Sequence, residues 1–375
     1  MEAFEGEIKK TRFFLELTKQ LKDHRRVNTG NIRHPMHEIL FLTLSSVVSG
    51  CKTWEEVEEF GNLKIDWLRK YFPYKYGIAS HDTLGAFYSA FDKKQFANFF
   101  MGFTQNLAQK DSRVIAIDGK TIRGVASKFG VSPIHIVSAF CHQNRLTLCQ
   151  ETVNEKSNEI TAIPDLINLL DLKNCVVTID AMGCQKDIAK KIRAKDGDYI
   201  LQVKDNQKDL KEQIKKIFNM QKPKNEHVDL DTGHGRMEKR CCSVIDDLSF
   251  LDGKEGWKDA KTIAVITTEI YDKKTYKKSE SIRYYISSCA ADSKQLAQDI
   301  RNHWSIENNL HWNLDVIFKE DFQLKRKGNS AENFNMLIKL ALGLIEAEKS
   351  KKKSKPIKML IASIDDSYRE KILSV

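Results

Sequence analysis

Ile115-Ala116-Ile117-Asp118-Gly119-Lys120-Thr121-Ile122-Arg123-Gly124 is the stretch from which the rest of the chain is read. Preceded by Arg113-Val114, its first half is a run of β-branched and small apolar residues suited to a strand buried on both faces. It ends abruptly in a carboxylate, a glycine and a lysine. An isolated carboxylate in such a place costs several kcal/mol to desolvate, so Asp118 needs a hydrogen-bond partner, a counter-charge or a metal. Gly119 and Gly124 let the backbone turn or approach a ligand, and Lys120 and Arg123 place positive charge beside it. The pattern is that of one arm of a metal site facing an anion.

The same design recurs downstream in Cys175-Val176-Val177-Thr178-Ile179-Asp180-Ala181-Met182-Gly183, a second buried run closed by Asp and a nearby Gly. Between the two, His135 to Phe140 and Leu146 to Thr152 read as strands joined at Gln143-Asn144-Arg145, and Ile163 to Leu170 reads as a helix. Ile188 to Arg193 is helical again, and Asp198 to Val203 is a fifth strand ending in Lys204-Asp205-Asn206-Gln207. Three antiparallel strands, helix, strand, helix, strand predict an α/β fold with a ribonuclease-H-like mixed sheet. In such a sheet the fourth strand lies beside the first, so Asp118 and Asp180 are expected at neighbouring strand ends.

A third element is helical. His303, Glu307, His311 and Asp315 recur every four residues and share a face, while Trp304, Ile306, Leu310, Val316 and Ile317 supply packing. Glu307 is the preferred acid to complete a two-aspartate site, with Asp315, Glu320 and Asp321 as alternatives.

Composition sets the outer limits. The chain has 375 residues, 61 Lys+Arg against 51 Asp+Glu and a net charge of +10, which favours polyanionic partners, nucleic acid first. Its eight cysteines form no CxxC pair or His/Cys ladder, which argues against structural zinc, and several sit inside apolar runs as expected in a reducing cytoplasm. Met1-Glu2-Ala3-Phe4-Glu5 lacks signal-peptide form, and the run from Ile39 to Cys51 is too short to cross a bilayer and reads as a buried helix.

Residues 1–109 carry helical periodicity throughout and form the expected N-terminal domain, either a DNA-end-binding or dimer-forming bundle or a helical cap with solvated lysines. Within it, Asp82 reads as a helix-capping residue. Residues 110–348 form the expected catalytic domain, interrupted at about 218–290 by a β insertion with alternating segments at Arg240 to Ile245, Thr262 to Ile270 and Ile282 to Ser288. Inside the insertion, His234-Gly235-Arg236-Met237-Glu238-Lys239-Arg240 combines a glycine turn with closely spaced bases, a candidate phosphate contact or a charged edge strand. A helix from Asn333 to Glu348 precedes a basic tail, 349–375.

Several of these stretches taken together resemble a known family. Ile117 to Gly124, Glu155-Lys156-Ser157-Asn158-Glu159-Ile160, Thr178 to Gln185, Val203-Lys204-Asp205-Asn206-Gln207 and His303-Trp304 through Glu307-Asn308 to Leu310-His311-Trp312 are similar to the ISAs-type, or H-repeat-associated, DDE transposases of bacterial insertion sequences. Gly50 to Trp54 and Ser80 to Thr83 extend the likeness into the helical N-terminal region. The resemblance implies a catalytic acidic triad and metal site of Asp118, Asp180 and Glu307, with Asp118 shared between two Mg2+ ions, for which Mn2+ can substitute. It also implies cleavage and strand transfer at element ends. Lys120, Arg123, Lys204, Arg236, Arg240, His303 and His311 are the expected DNA contacts. The partner implied is double-stranded DNA, at terminal repeats and target, engaged by a homodimer and without a membrane. The alternatives are an inactive DNA-binding relic or regulator and a stand-alone nuclease of the same fold. Two departures stand out: related transposases carry Arg and Lys where this chain has His303 and Leu314, and Leu84-Gly85-Ala86-Phe87 lacks the arginine expected after Asp82-Thr83.

Overall fold

Strand β1 (Val114–Ile122) lies within a nine-stranded mixed sheet in a computed structural model of the chain. The structure describes residues 18–19, 21–25, 32–107, 113–123, 133–153, 159–233, 235–323 and 325–373. Gly124, the stretch Glu155-Lys156-Ser157-Asn158 and His234, all named above, lie outside them.

The apolar half of β1 is covered on both sides, as its composition requires. Ile115 and Ile117 enter a core with α6 (Glu159–Leu169) and α7 (Lys186–Arg193), whereas Ala116 faces a second core built by the N- and C-terminal helices. Strands β2 (Ile134–Cys141) and β3 (Leu146–Val153) extend the sheet antiparallel on one side of β1. On its other side lie β4 (Val176–Ile179) and then β5 (Asp198–Val203), both parallel. This is the predicted ribonuclease-H-like arrangement, with the fourth strand beside the first.

The β insertion continues this sheet. After α8 (Lys208–Met220) come β6 (Asn225–Gly233), β7 (Arg236–Ile245), β8 (Thr262–Asp272) and β9 (Lys278–Ser287). β9 docks antiparallel on β5, so the order ends β5-β9-β8-β7-β6. Strand β6 has no counterpart among the expected segments, because its nine residues include none that is buried.

The N-terminal helices α1 (Met36–Val48), α2 (Trp54–Leu63), α3 (Ile65–Leu68), α4 (His81–Ala90) and α5 (Lys93–Leu107) are held by local signals. Thr53 and Glu56 make a capping box, and Ser80, rather than Asp82, caps α4 by accepting from the Thr83 N–H. They share one apolar core with α11 (Ser330–Ala347), α12 (Lys355–Ile364) and α13 (Asp366–Leu373). Residues 355–373, expected as a basic tail, therefore fold back onto the N-terminal helices: Lys64 pairs with Asp366 at 2.7 Å and the Arg369 guanidinium stacks 3.9 Å from the Trp67 ring centroid. Helix α11 is buried nearly all round rather than on one apolar side, and its polar Asn333 donates to the carbonyls of Tyr88 and Phe91. Among the described residues no helix is long and apolar enough to cross a membrane.

Candidate active site

The parallel register Ile117↔Ile179 puts the next residue of each strand, Asp118 and Asp180, at adjacent strand ends. Asp180 leaves the sheet into a short turn of 3-10 helix, Ala181–Gly183, and accepts from the Met182 N–H at 3.0 Å, which fixes its carboxylate at the strand terminus. After α9 (Ser293–His303) comes a π-helical segment, Ile306–His311, then α10 (Trp312–Val316). π-Helical turns concentrate at functional sites, and this one carries Glu307. Asp118, Asp180 and Glu307 line one cleft of about 230 Å³.

Electrostatics mark the cleft as short of positive charge. Burial first, then the charges of Asp180, Glu307 and Glu159, push the Asp118 carboxyl up to about 7. Asp180 is also raised, by burial and by Glu159, although backbone donors and Lys204 pull the other way. Among the described residues no three His, Cys, Asp or Glu side chains already close on one point as a ligand set. The donor set still fits a hard divalent cation: the ligands are oxygen-only, their mutual repulsion is relieved by a cation, and Mg2+ keeps several waters while using few carboxylates.

The basic residues divide in a way their spacing did not reveal. Lys120 is not a free phosphate contact. Its ammonium lies in a carboxylate cage, 2.7 Å from Asp315, 2.5 Å from Glu320 and 3.7 Å from Asp321, and Asp321 also accepts from the Arg123 N–H. The three alternatives to Glu307 are thus occupied in holding Lys120. Arg240 is half-buried and paired with Glu238 at 2.6 Å, which leaves it little to offer a phosphate. His303 turns inward, Nδ1 3.0 Å from the Thr178 hydroxyl, and burial drives its imidazole down to about 4. His311 also faces inward, Nδ1 3.6 Å from Asp118, pushed down to about 3 by burial and by Lys339 and Lys120. Both histidines are therefore neutral parts of the wall, not surface cations. Leu314, one of the departures noted above, is fully buried in the helical core. Lys204 lines the cleft with an exposed side chain, while Arg123 and Arg236 are exposed elsewhere.

Some residues of the site escaped the sequence. Trp304, expected to pack inside, is 38% exposed with the Arg283 guanidinium 4.8 Å from its ring centroid, and this pair stands where the acid cleft meets a groove of about 860 Å³. That groove runs between α9 and the insertion sheet and includes Arg236, Arg240, Lys294 and Arg301. Lys339 on α11 is fully enclosed, donating to Ser138 Oγ at 2.8 Å and Gln150 Oε1 at 2.7 Å, and burial pushes it down to about 7. Ser138 is the cross-strand partner of Asp118, so this lysine sits behind the first acid. No sequence signal marks it, because it lies in an otherwise regular helix. Glu159 was visible within a motif but without a role.

Comparison with known proteins places the chain in a family. A family model described as "Transposase DDE domain" matches residues 109–344, and one described as "DDE_Tnp_1-associated" matches residues 15–104. The chain is 41% identical over 355 residues to "Putative transposase YncI" of Escherichia coli O157:H7, covering 92% of this chain and 90% of that protein. It is 37% identical over 379 residues to "H repeat-associated putative transposase YhhI" of Escherichia coli strain K12, covering 98% of each. Among solved structures it is similar to a piggyBac transposase in a synaptic complex with hairpin DNA, at 11% identity and a TM-score of 0.46, over 98% of this chain and 78% of that one.

Proposed function

The chain belongs to the transposase DDE-domain family, and from that premise we propose that it is the transposase of an insertion sequence, cutting and joining DNA at element ends. Asp118, Asp180 and Glu307 hold the divalent metal, Mg2+ with Mn2+ as substitute. The observation that carries this reading is that three acids separated by 62 and 127 positions in the chain (180 − 118 and 307 − 180) line the same cleft. Such ions, when bound, supply activation of a water or 3′-hydroxyl and stabilisation of the leaving oxygen in an in-line phosphodiester displacement.

The chain's own residues do the rest. Asp118 and Asp180 are fixed by the parallel strand register, so their separation does not depend on a loop. Lys204, exposed on the same cleft, neutralises a phosphate oxygen beside the acids. Trp304 and Arg283 form the wall between the acids and the large groove, where Arg236 meets the backbone of double-stranded DNA from the terminal repeats or target. Arg123, exposed at the end of β1, adds a further phosphate contact. His303, bonded to Thr178, braces the helix that carries Glu307 against β4. The same reading includes a homodimer that engages two ends in the cytoplasm.

The test is Asp118→Ala combined with Glu307→Ala, assayed for Mg2+-dependent nicking and joining of end DNA. We expect activity to fall to background while DNA binding persists. A double variant that still cuts and joins would remove the basis of the proposal.

A further inference from the structure

One buried acid has no part in the scheme above. Glu159 is the first residue of α6 and only 4% exposed, with Oε1 2.5 Å from His135 Nε2. His135, 2% exposed, faces the Thr121 hydroxyl with its Nδ1 at 2.9 Å. The pair packs on the face of β1 opposite Lys120, directly against Gly119: a Cβ on that glycine would collide with His135 Nε2 and with the Glu159 carboxylate. A glycine here is therefore required by the close approach of this pair to the backbone beside Asp118. Burying a carboxylate costs several kcal/mol even when paired, and an apolar residue of similar volume would serve packing at least as well. The helix N-terminus and His135 offset that cost without explaining why a charge is there. The neighbourhood explains it: the carboxylate lies against Gly119, the residue next to Asp118, and Asp118 shares its cleft with Asp180.

We propose that Glu159, clamped by His135 behind Gly119, is a positioning residue of the divalent-cation site, whose fourth negative charge tightens the hold of Asp118 and Asp180 on the cation. The inference rests on the assignment of Asp118, Asp180 and Glu307 to that site. Glu159 is not a ligand; it acts through the two aspartates. The role therefore requires its charge more than its shape.

The experiment is calorimetric titration of the full chain with Mn2+, without DNA, with melting in EDTA as a check on folding. Glu159→Gln, which keeps the volume and loses the charge, is expected to bind Mn2+ about five- to tenfold more weakly. Glu159→Asp, which keeps the charge, is expected within about threefold of the parent chain. Equal affinity for parent and Gln variant overturns the proposal, as does an equal loss in the Gln and Asp variants, which would mean shape alone matters. Should Glu159→Gln fail to fold, Glu159→Asn set against Glu159→Asp takes its place: the two match in shape and differ in charge, so the Asn variant is expected to bind about five- to tenfold more weakly than the Asp variant, and equal affinity overturns the proposal. Asp118→Asn run alongside keeps the two claims apart. If it binds Mn2+ like the parent, the site assignment itself is wrong; if it loses binding while Glu159→Gln does not, only the role of Glu159 falls.

Discussion

The two ends of the nine-stranded sheet are built on opposite principles. At the β1 end every residue of β4 is buried and seven of the eight in β2 are, so side chains there are fixed by packing on both faces. At the β6 end, ion pairs run across and off the strands, Lys239 to Glu269, Arg240 to Glu238 and Arg301 to Asp231, with long exposed side chains between them. The junction is β5–β9, and beside it stand Arg283 and Trp304. Under the proposed function, the difference lets one sheet serve two needs. Acids that must hold a fixed separation belong where the backbone cannot move, and cations that must meet a long, irregular polyanion belong where side chains remain in water. A basic residue's role then follows from which end it occupies.

Lys120 and Arg236 test that rule most directly, and Lys120 carries the larger effect. Its ammonium answers three carboxylates, among them Glu320, whose side chain is 2% exposed and which also accepts from Asn335. Burial opposes its charge, but Glu320 and Asp315 outweigh burial and hold the lysine above its ordinary range. Lys120→Met leaves buried acid unpaired, and we expect it to cost about 3–5 kcal/mol of stability in denaturant unfolding. The dependence of DNA affinity on salt should not change. A variant of normal stability with a shallower salt dependence would return Lys120 to the phosphate contacts and break the comparison.

The next effect is a pH dependence confined to the buried end. Burial and the neighbouring acids push the Asp118 carboxyl from its ordinary 3.8 up to about 7, so the fold favours its protonated form. A group raised in this way adds stability that is complete below about pH 4 and is lost as pH climbs to about 7. For metal-free protein the loss is on the order of a few kcal/mol. His303 and His311, both depressed by burial, work in the opposite direction, since their contribution is present above their unfolded value and is lost as pH falls through the folded one. The readout is therefore the difference between parent and Asp118→Asn in EDTA, measured by urea unfolding from pH 4 to 7.5. We expect the Asn variant to gain on the parent as pH rises across that window. Parallel curves would mean that Asp118 meets no deficit of positive charge.

These contrasts also mark what the sequence could convey. Asp118 and Asp180 were legible because each ends a run of β-branched residues, where a charge has to be explained, and the order of elements was enough to set the two strands side by side. Glu307 was preferred over Asp315, Glu320 and Asp321 without knowledge of what those three do; the cage around Lys120 supplies their task. The basic residues were not legible, since a lysine's sequence neighbours do not reveal acids nearly two hundred positions away. Trp304 was misplaced because spacing was counted on a regular α-helix, whereas the chain leaves α9 at His303 and enters a π-helical turn at Ile306. Strand β6 was missed for a simpler reason. An edge strand exposed on both faces carries no apolar alternation to detect.

Arg236 offers the smallest effect and the sharpest discrimination. It follows Gly235, whose φ of 77° lets the β6–β7 hairpin turn and presents the arginine at the rim of the groove. Arg236 is exposed, so its loss costs the fold little. Arg236→Ala should lower affinity for duplex DNA by severalfold and reduce the slope of log K against log salt by about one, because one fewer counterion is released. It should do so equally for end DNA and unrelated duplex, since a phosphate contact carries no base information. Arg240, two turns of the pleat further in and paired with Glu238, should show a smaller change in slope than Arg236 when replaced by Ala. If the order is reversed, the ion pair at Arg240 opens when DNA arrives, and the exposed end of the sheet rearranges around its partner instead of receiving it as built.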